Sequence, residues 1–94
     1  MSKLPKEYLP EKIKNLYKKT IEQYESLKFQ QVTQFQEEGI IISDPNEFHK
    51  GWTCAQFTGT LRMAIFPFFN LTNEEQEQIE MEYIKKLIAD LTSK

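Results

Sequence analysis

The chain is 94 residues long, 39% hydrophobic, 13% aromatic and 28% charged, which leaves room for one small packed domain and excludes multidomain enzymes and collagen-like or low-complexity chains. Three glycines and four prolines are too few for a disordered linker. The net charge of −2 is unevenly spread: seven lysines face four glutamates in residues 1–28, whereas three lysines face six acids in residues 63–94. A basic first segment and an acidic last one attract each other.

Residues 1–9 hold Pro5 and no apolar run of signal-peptide length, and read as a loosely ordered arm. From Pro10 a long helix is expected, because Ile13, Tyr17, Ile21, Tyr24, Leu27, Val32 and Phe35, with Leu16 beside them, recur at three- and four-residue spacing. Gly39 followed by Ile40 predicts a left-handed stop, giving a helix of about 28 residues and about 40 Å. Ile40-Ile41-Ile42 is β-branched and reads as a short extended strap buried over the core.

Asp44-Pro45-Asn46-Glu47 predicts a helical turn capped by Asp44 and ending near Lys50-Gly51. A second main helix is expected from Trp52, with Cys54, Phe57, Leu61 and Ile65 on one side and Trp52, Ala55, Gly59, Met63 and Phe66 on another, so that it is buried nearly all round. Ala55, Gly59 and Ala64 are small enough to admit a close neighbour, and Pro67 ends the helix near Phe66. Thr72 and Glu75 form a capping-box pattern. The last amphipathic helix then carries Ile79, Tyr83, Ile84, Leu87, Ile88 and Leu91. The expected fold is an all-α small three-helix bundle in a single domain, 1–94.

The rare side chains cluster. His49, Trp52, Cys54 and Arg62 fall within fourteen residues, together with Gly51 and Gly59. His49, Lys50, Trp52 and Arg62 supply an imidazole, two cations and an indole, a set suited to an anionic or nucleotide-like ligand. Against this, a small bundle needs its tryptophan in the core, and Arg62 can pair with a glutamate from a neighbouring helix. Cys54 with His49 has the residue types of a thiol nucleophile, but Cys54 lies on an apolar face. One histidine and one cysteine do not make a zinc site, and no Glu-x-x-His pattern accompanies Glu74, Glu75, Glu77, Glu80 and Glu82, which read as a solvated acidic face. No metal or cofactor is expected.

Phe66-Pro67-Phe68-Phe69 packs three aromatics around a proline, either as a plug closing the bundle or as an exposed knob of the kind that anchors protein interfaces, with Tyr8 extending it. A single arginine and an acidic balance argue against nucleic acid. The lone cysteine suits a reducing compartment, so the expectation is cytoplasmic, with no membrane span. Two functions follow as expectations. The first is a non-catalytic protein-binding module, a homo-oligomer acting as regulator, inhibitor or small subunit through Phe66, Phe68, Phe69 and Tyr8. The second is a small-molecule binder using His49, Lys50, Trp52 and Arg62.

Overall fold

A computed structural model describes residues 3–93. The chain is 84% helical with no strand among those residues, and its three helices are mutually in contact, as the apolar periodicity predicts for an all-α bundle. Helix α1 spans Leu9–Glu37, α2 spans Pro45–Thr60 and α3 spans Asn73–Thr92. A 29-residue helix is about 43 Å long, and α1 accordingly sets the long axis of a molecule measuring 47 × 28 × 22 Å.

The end of α1 follows from its residues. Gly39 sits at φ 77°, where an L side chain is strained; there Ile40 N–H donates to Phe35 C=O at 2.8 Å and Gly39 N–H to Gln36 C=O at 3.1 Å. Asp44 caps α2 by accepting the Glu47 N–H at 3.1 Å. Such a cap is worth about 1 kcal/mol. At α3 both bonds of the capping box form, Thr72 Oγ1 accepting from Glu75 N–H and Glu75 Oε1 from Thr72 N–H, each at 3.1 Å.

Leu9, Ile13, Tyr17 and Tyr24 of α1, Phe57 of α2 and Leu87 and Leu91 of α3 build the core, joined by Leu61, Ile65, Phe66 and Phe69 from the α2–α3 connection. At its centre Tyr17, Phe57 and Tyr83 hold each other with ring centroids 5.9 to 6.0 Å apart. Edge and tilted contacts at this range add about 0.5–1.5 kcal/mol per pair beyond the area they bury. The Tyr17 hydroxyl donates to Asp90 of α3, and Lys86 Nζ lies 4.8 Å from the Tyr17 ring centre. Burial first, and then the Asp90 hydrogen bond and charge, push the Tyr17 pKa well above the ordinary tyrosine range.

Four sequence expectations are corrected. The helix does not restart at Trp52: α2 runs unbroken through Gly51, whose helical backbone leaves open space where a side chain would be. Ile40–Ile42 is not buried, since Ile41 is 94% exposed and Ile40 is exposed too; α2 reaches α1 as far as the Phe35–Phe48 contact and leaves the residues beyond it uncovered. The second helix is buried on one face only, with Ala55, Gln56, Arg62, Met63 and Ala64 open to solvent. A Cβ at Gly59 meets nothing within 4 Å, so the small residues admit no close helix within the subunit.

The proline effect is as anticipated in place but not in form. Pro67 cannot donate to the Met63 carbonyl and its ring crowds that group. The chain responds by widening into a π turn over Leu61–Ile65, in which Phe66 N–H reaches back to Leu61 C=O, and then tightens into a 3-10 turn, Phe66–Phe68. Residues 1–9 were expected as a loose arm; residues 1–2 lie outside the described residues, and residues 3–9 are laid across this turn. Leu4 N–H donates to Phe68 C=O at 2.7 Å, Lys3 Nζ to Pro67 C=O at 2.6 Å, and Lys6 pairs with Glu75 at 3.0 Å.

Candidate functional site

The four residues expected to hold an anion do not converge. His49 is fully buried, stacked on Trp52 at 5.2 Å and 18° and tilted against Tyr24 at 4.8 Å. Its Nε2 bonds the Tyr24 carbonyl at 3.2 Å and its Nδ1 meets the Gln31 side-chain amide at 2.8 Å. Burial holds its pKa below the ordinary imidazole value, so the ring rests neutral, with Nε2–H on the carbonyl and Nδ1 facing an amide that can turn either end toward it. No nitrogen is left for a ligand.

Lys50 Nζ is held by Glu47 at 2.9 Å and Thr92 Oγ1 at 3.3 Å. The hydrogen bond to Glu47 raises the Lys50 pKa. Arg62 turns toward α3, where it grips Glu80 with Nε–Oε2 3.0 Å and Nη2–Oε1 2.6 Å. Trp52 instead faces α1. A guanidinium and an indole expected to serve one ligand therefore serve two different neighbours. The proposed Cys54–His49 pairing does not form either: both ring nitrogens are engaged, and burial pushes the half-buried Cys54 thiol pKa up. Among the described residues no group of three or more His, Cys, Asp or Glu is placed to hold a metal ion.

The aromatic knob divides in two. Phe66 and Phe69 are buried and plug the bundle end, joining Leu61 and Ile65 in the core. Phe68, 42% exposed, and Tyr8, 50% exposed, remain at the surface.

Two apolar features were not foreseen as sites. At the far end of α1 a notch of about 400 Å³ is lined by Val32, Phe35, Gly39, Ile40, Ile42 and Pro45 and rimmed by Ile41. Phe48 packs edge-on against Phe35 at 5.8 Å and is itself exposed. Between α1 and α2 a groove of about 220 Å³ runs beside Trp52. Thr53 lines that groove, is only 5% exposed, and its hydroxyl has no hydrogen-bond partner. A buried hydroxyl left unbonded costs about 1–3 kcal/mol.

Periodicity could have marked three of these buried polar residues. His49, Thr53, Phe57 and Leu61 are four apart, so the first two share the apolar stripe of the second two. Glu80 precedes Tyr83, Ile84 and Leu87 at helical spacing, and is 7% exposed rather than part of the solvated acidic face.

No helix among the described residues is long and apolar enough to cross a membrane. No family model, curated protein or solved structure matches this chain.

Proposed function

We propose that the protein is a non-catalytic protein-binding module that docks a partner through the apolar end of α1 rather than through the Phe66–Phe69 turn. One observation carries the reading: Ile41 is 94% exposed beside a notch lined by Val32, Phe35, Ile40 and Pro45, with Phe48 open next to it. Contiguous exposed apolar surface of this kind marks interaction sites, because leaving it in water forgoes about 25 cal/mol per Å² of burial.

The neighbouring charges indicate what fits. Glu37 and Glu38 flank the notch on the α1 side and make no ion pair among the described residues. The C-terminal end of α1 adds partial negative charge. A segment offering one large apolar side chain with lysine or arginine near it matches both features. Phe68, Tyr8 and Leu4 are exposed at the opposite end.

The test is Ile41→Asp. Ile41 supports nothing in the core, so the variant should keep the native circular dichroism and melting temperature while losing affinity for basic amphipathic peptides drawn from a display library. Peptides that bind wild type and Ile41→Asp equally would dismiss the notch as the docking surface. Light scattering across concentration separates the partners: a mass that grows with concentration, and falls back in Ile41→Asp, identifies the occupant as a second copy.

A further inference from the structure

We propose a second site, independent of the notch: the groove between α1 and α2 binds a small aromatic carboxylate. Three features of the groove act together. Its floor carries Thr53, a buried side chain whose hydroxyl finds no partner in the protein. The neighbouring threonines are already used, Thr20 Oγ1 donating to Leu16 C=O at 2.8 Å and Thr60 Oγ1 to Gln56 C=O at 2.9 Å, so Thr53 alone among the groove threonines has its hydroxyl unengaged. Its oxygen is shielded from the open groove, and a ligand acceptor or donor at the floor would complete it as Thr53 turns about χ1, a rotation that breaks no hydrogen bond.

The indole of Trp52 forms part of the wall. One of its faces is covered by His49 at 5.2 Å, and Leu16 and Leu27 of α1 stand among the other lining groups, giving an apolar slot suited to a flat ring. At about 220 Å³ it takes one or two rings, not a nucleotide. Lys19 is the cation on the lining and makes no ion pair among the described residues. A single ammonium with no arginine and no helix N-terminus beside it suits a carboxylate better than a phosphate, which usually draws several donors. Gln23 and Gln56 offer amides to a ring heteroatom or substituent.

The chain contains one tryptophan, so its indole N–H gives a single resonance that reports this groove. Uniformly 15N-labelled protein is titrated with 2-naphthoate, with 2-naphthamide as the uncharged control, up to about tenfold above the roughly millimolar Kd expected of a fragment. Naphthoate should move the Trp52 indole resonance and the amides of Thr53 and Gln23, and bind about threefold tighter than the amide, the range of an exposed ion pair. Lys19→Gln should abolish that preference. Thr53→Val, which keeps the side-chain shape, should weaken naphthoate about fivefold, the worth of one hydrogen bond. The proposal is overturned if the Trp52 resonance stays still, if shifts scatter over the surface, or if Thr53→Val binds as wild type; native circular dichroism of that variant excludes misfolding as the cause of weaker binding.

Discussion

Alanine at Gly51 and alanine at Gly39 are the same chemical change with opposite expected signs. Gly51 lies inside α2 with helical backbone, and an added Cβ there meets nothing within 4 Å. Replacing an interior helix glycine by alanine gains about 0.5–1 kcal/mol, because the unfolded glycine has more backbone freedom to lose. In a domain of this size each kcal/mol moves the melting temperature by about 4–8 °C, so Gly51→Ala should melt about 2–8 °C higher. Gly39 sits at φ 77°, also with open space around it, so the cost there is purely conformational. Left-handed backbone costs an L-residue about 1–2 kcal/mol, and Gly39→Ala should melt about 4–16 °C lower. Thermal and urea unfolding by far-ultraviolet circular dichroism measure both, with an unchanged urea slope showing that only stability moved. A lower melting temperature for Gly51→Ala would refute the reasoning, since it would mean that the chain breaks at Gly51 as its sequence spacing suggests.

Thr53→Val should raise the melting temperature of the ligand-free protein, because it removes an unbonded buried hydroxyl at constant shape, whereas Thr53→Ser, which keeps the hydroxyl and loses a methyl, should lower it; a Val variant less stable than wild type would show that the hydroxyl is bonded. Burial lowers the His49 pKa below its ordinary value near 6.5, so the unfolded chain takes up the proton first. Stability should therefore be full above about pH 6.5 and fall as the pH drops from there through the folded pKa, and a His49→Gln variant should lose that slope in melting curves recorded across this range. Arg62→Gln leaves the buried Glu80 carboxylate without its partner and should destabilise the fold; in a double-mutant cycle Glu80→Met should recover much of that loss, and strict additivity of the two changes would argue against the pair. Ile41→Asp should change stability by no more than about 0.5 kcal/mol, as measured by urea unfolding, because its side chain lies in water.

The caps, and with them the end of α1 and the start of α3, were legible without any structure. Gly39-Ile40, Asp44 to Glu47 and Thr72 to Glu75 are local devices, each satisfied by groups within a few residues, so the spacing that announces them also builds them. The apolar stripes likewise assigned Ile13, Tyr17, Tyr24, Phe57, Leu61, Leu87 and Leu91 to the core. Gly51 misled because glycine signals both a break and a tolerated interior position, and only packing on both sides of it selects the continuous helix.

What tertiary structure alone decided was how far each stripe is covered and which partner each polar group meets. The stripe on α1 continues through Val32 and Phe35, yet α2 and α3 bury it only as far as Tyr24, leaving the notch around Ile41. Arg62 and Trp52 share a stretch of sequence but serve different neighbours, α3 and α1. Helical periodicity is a property of one segment, whereas burial, ion pairing and an unpartnered hydroxyl such as that of Thr53 belong to the space between segments, and that space is set by where whole helices end and cross.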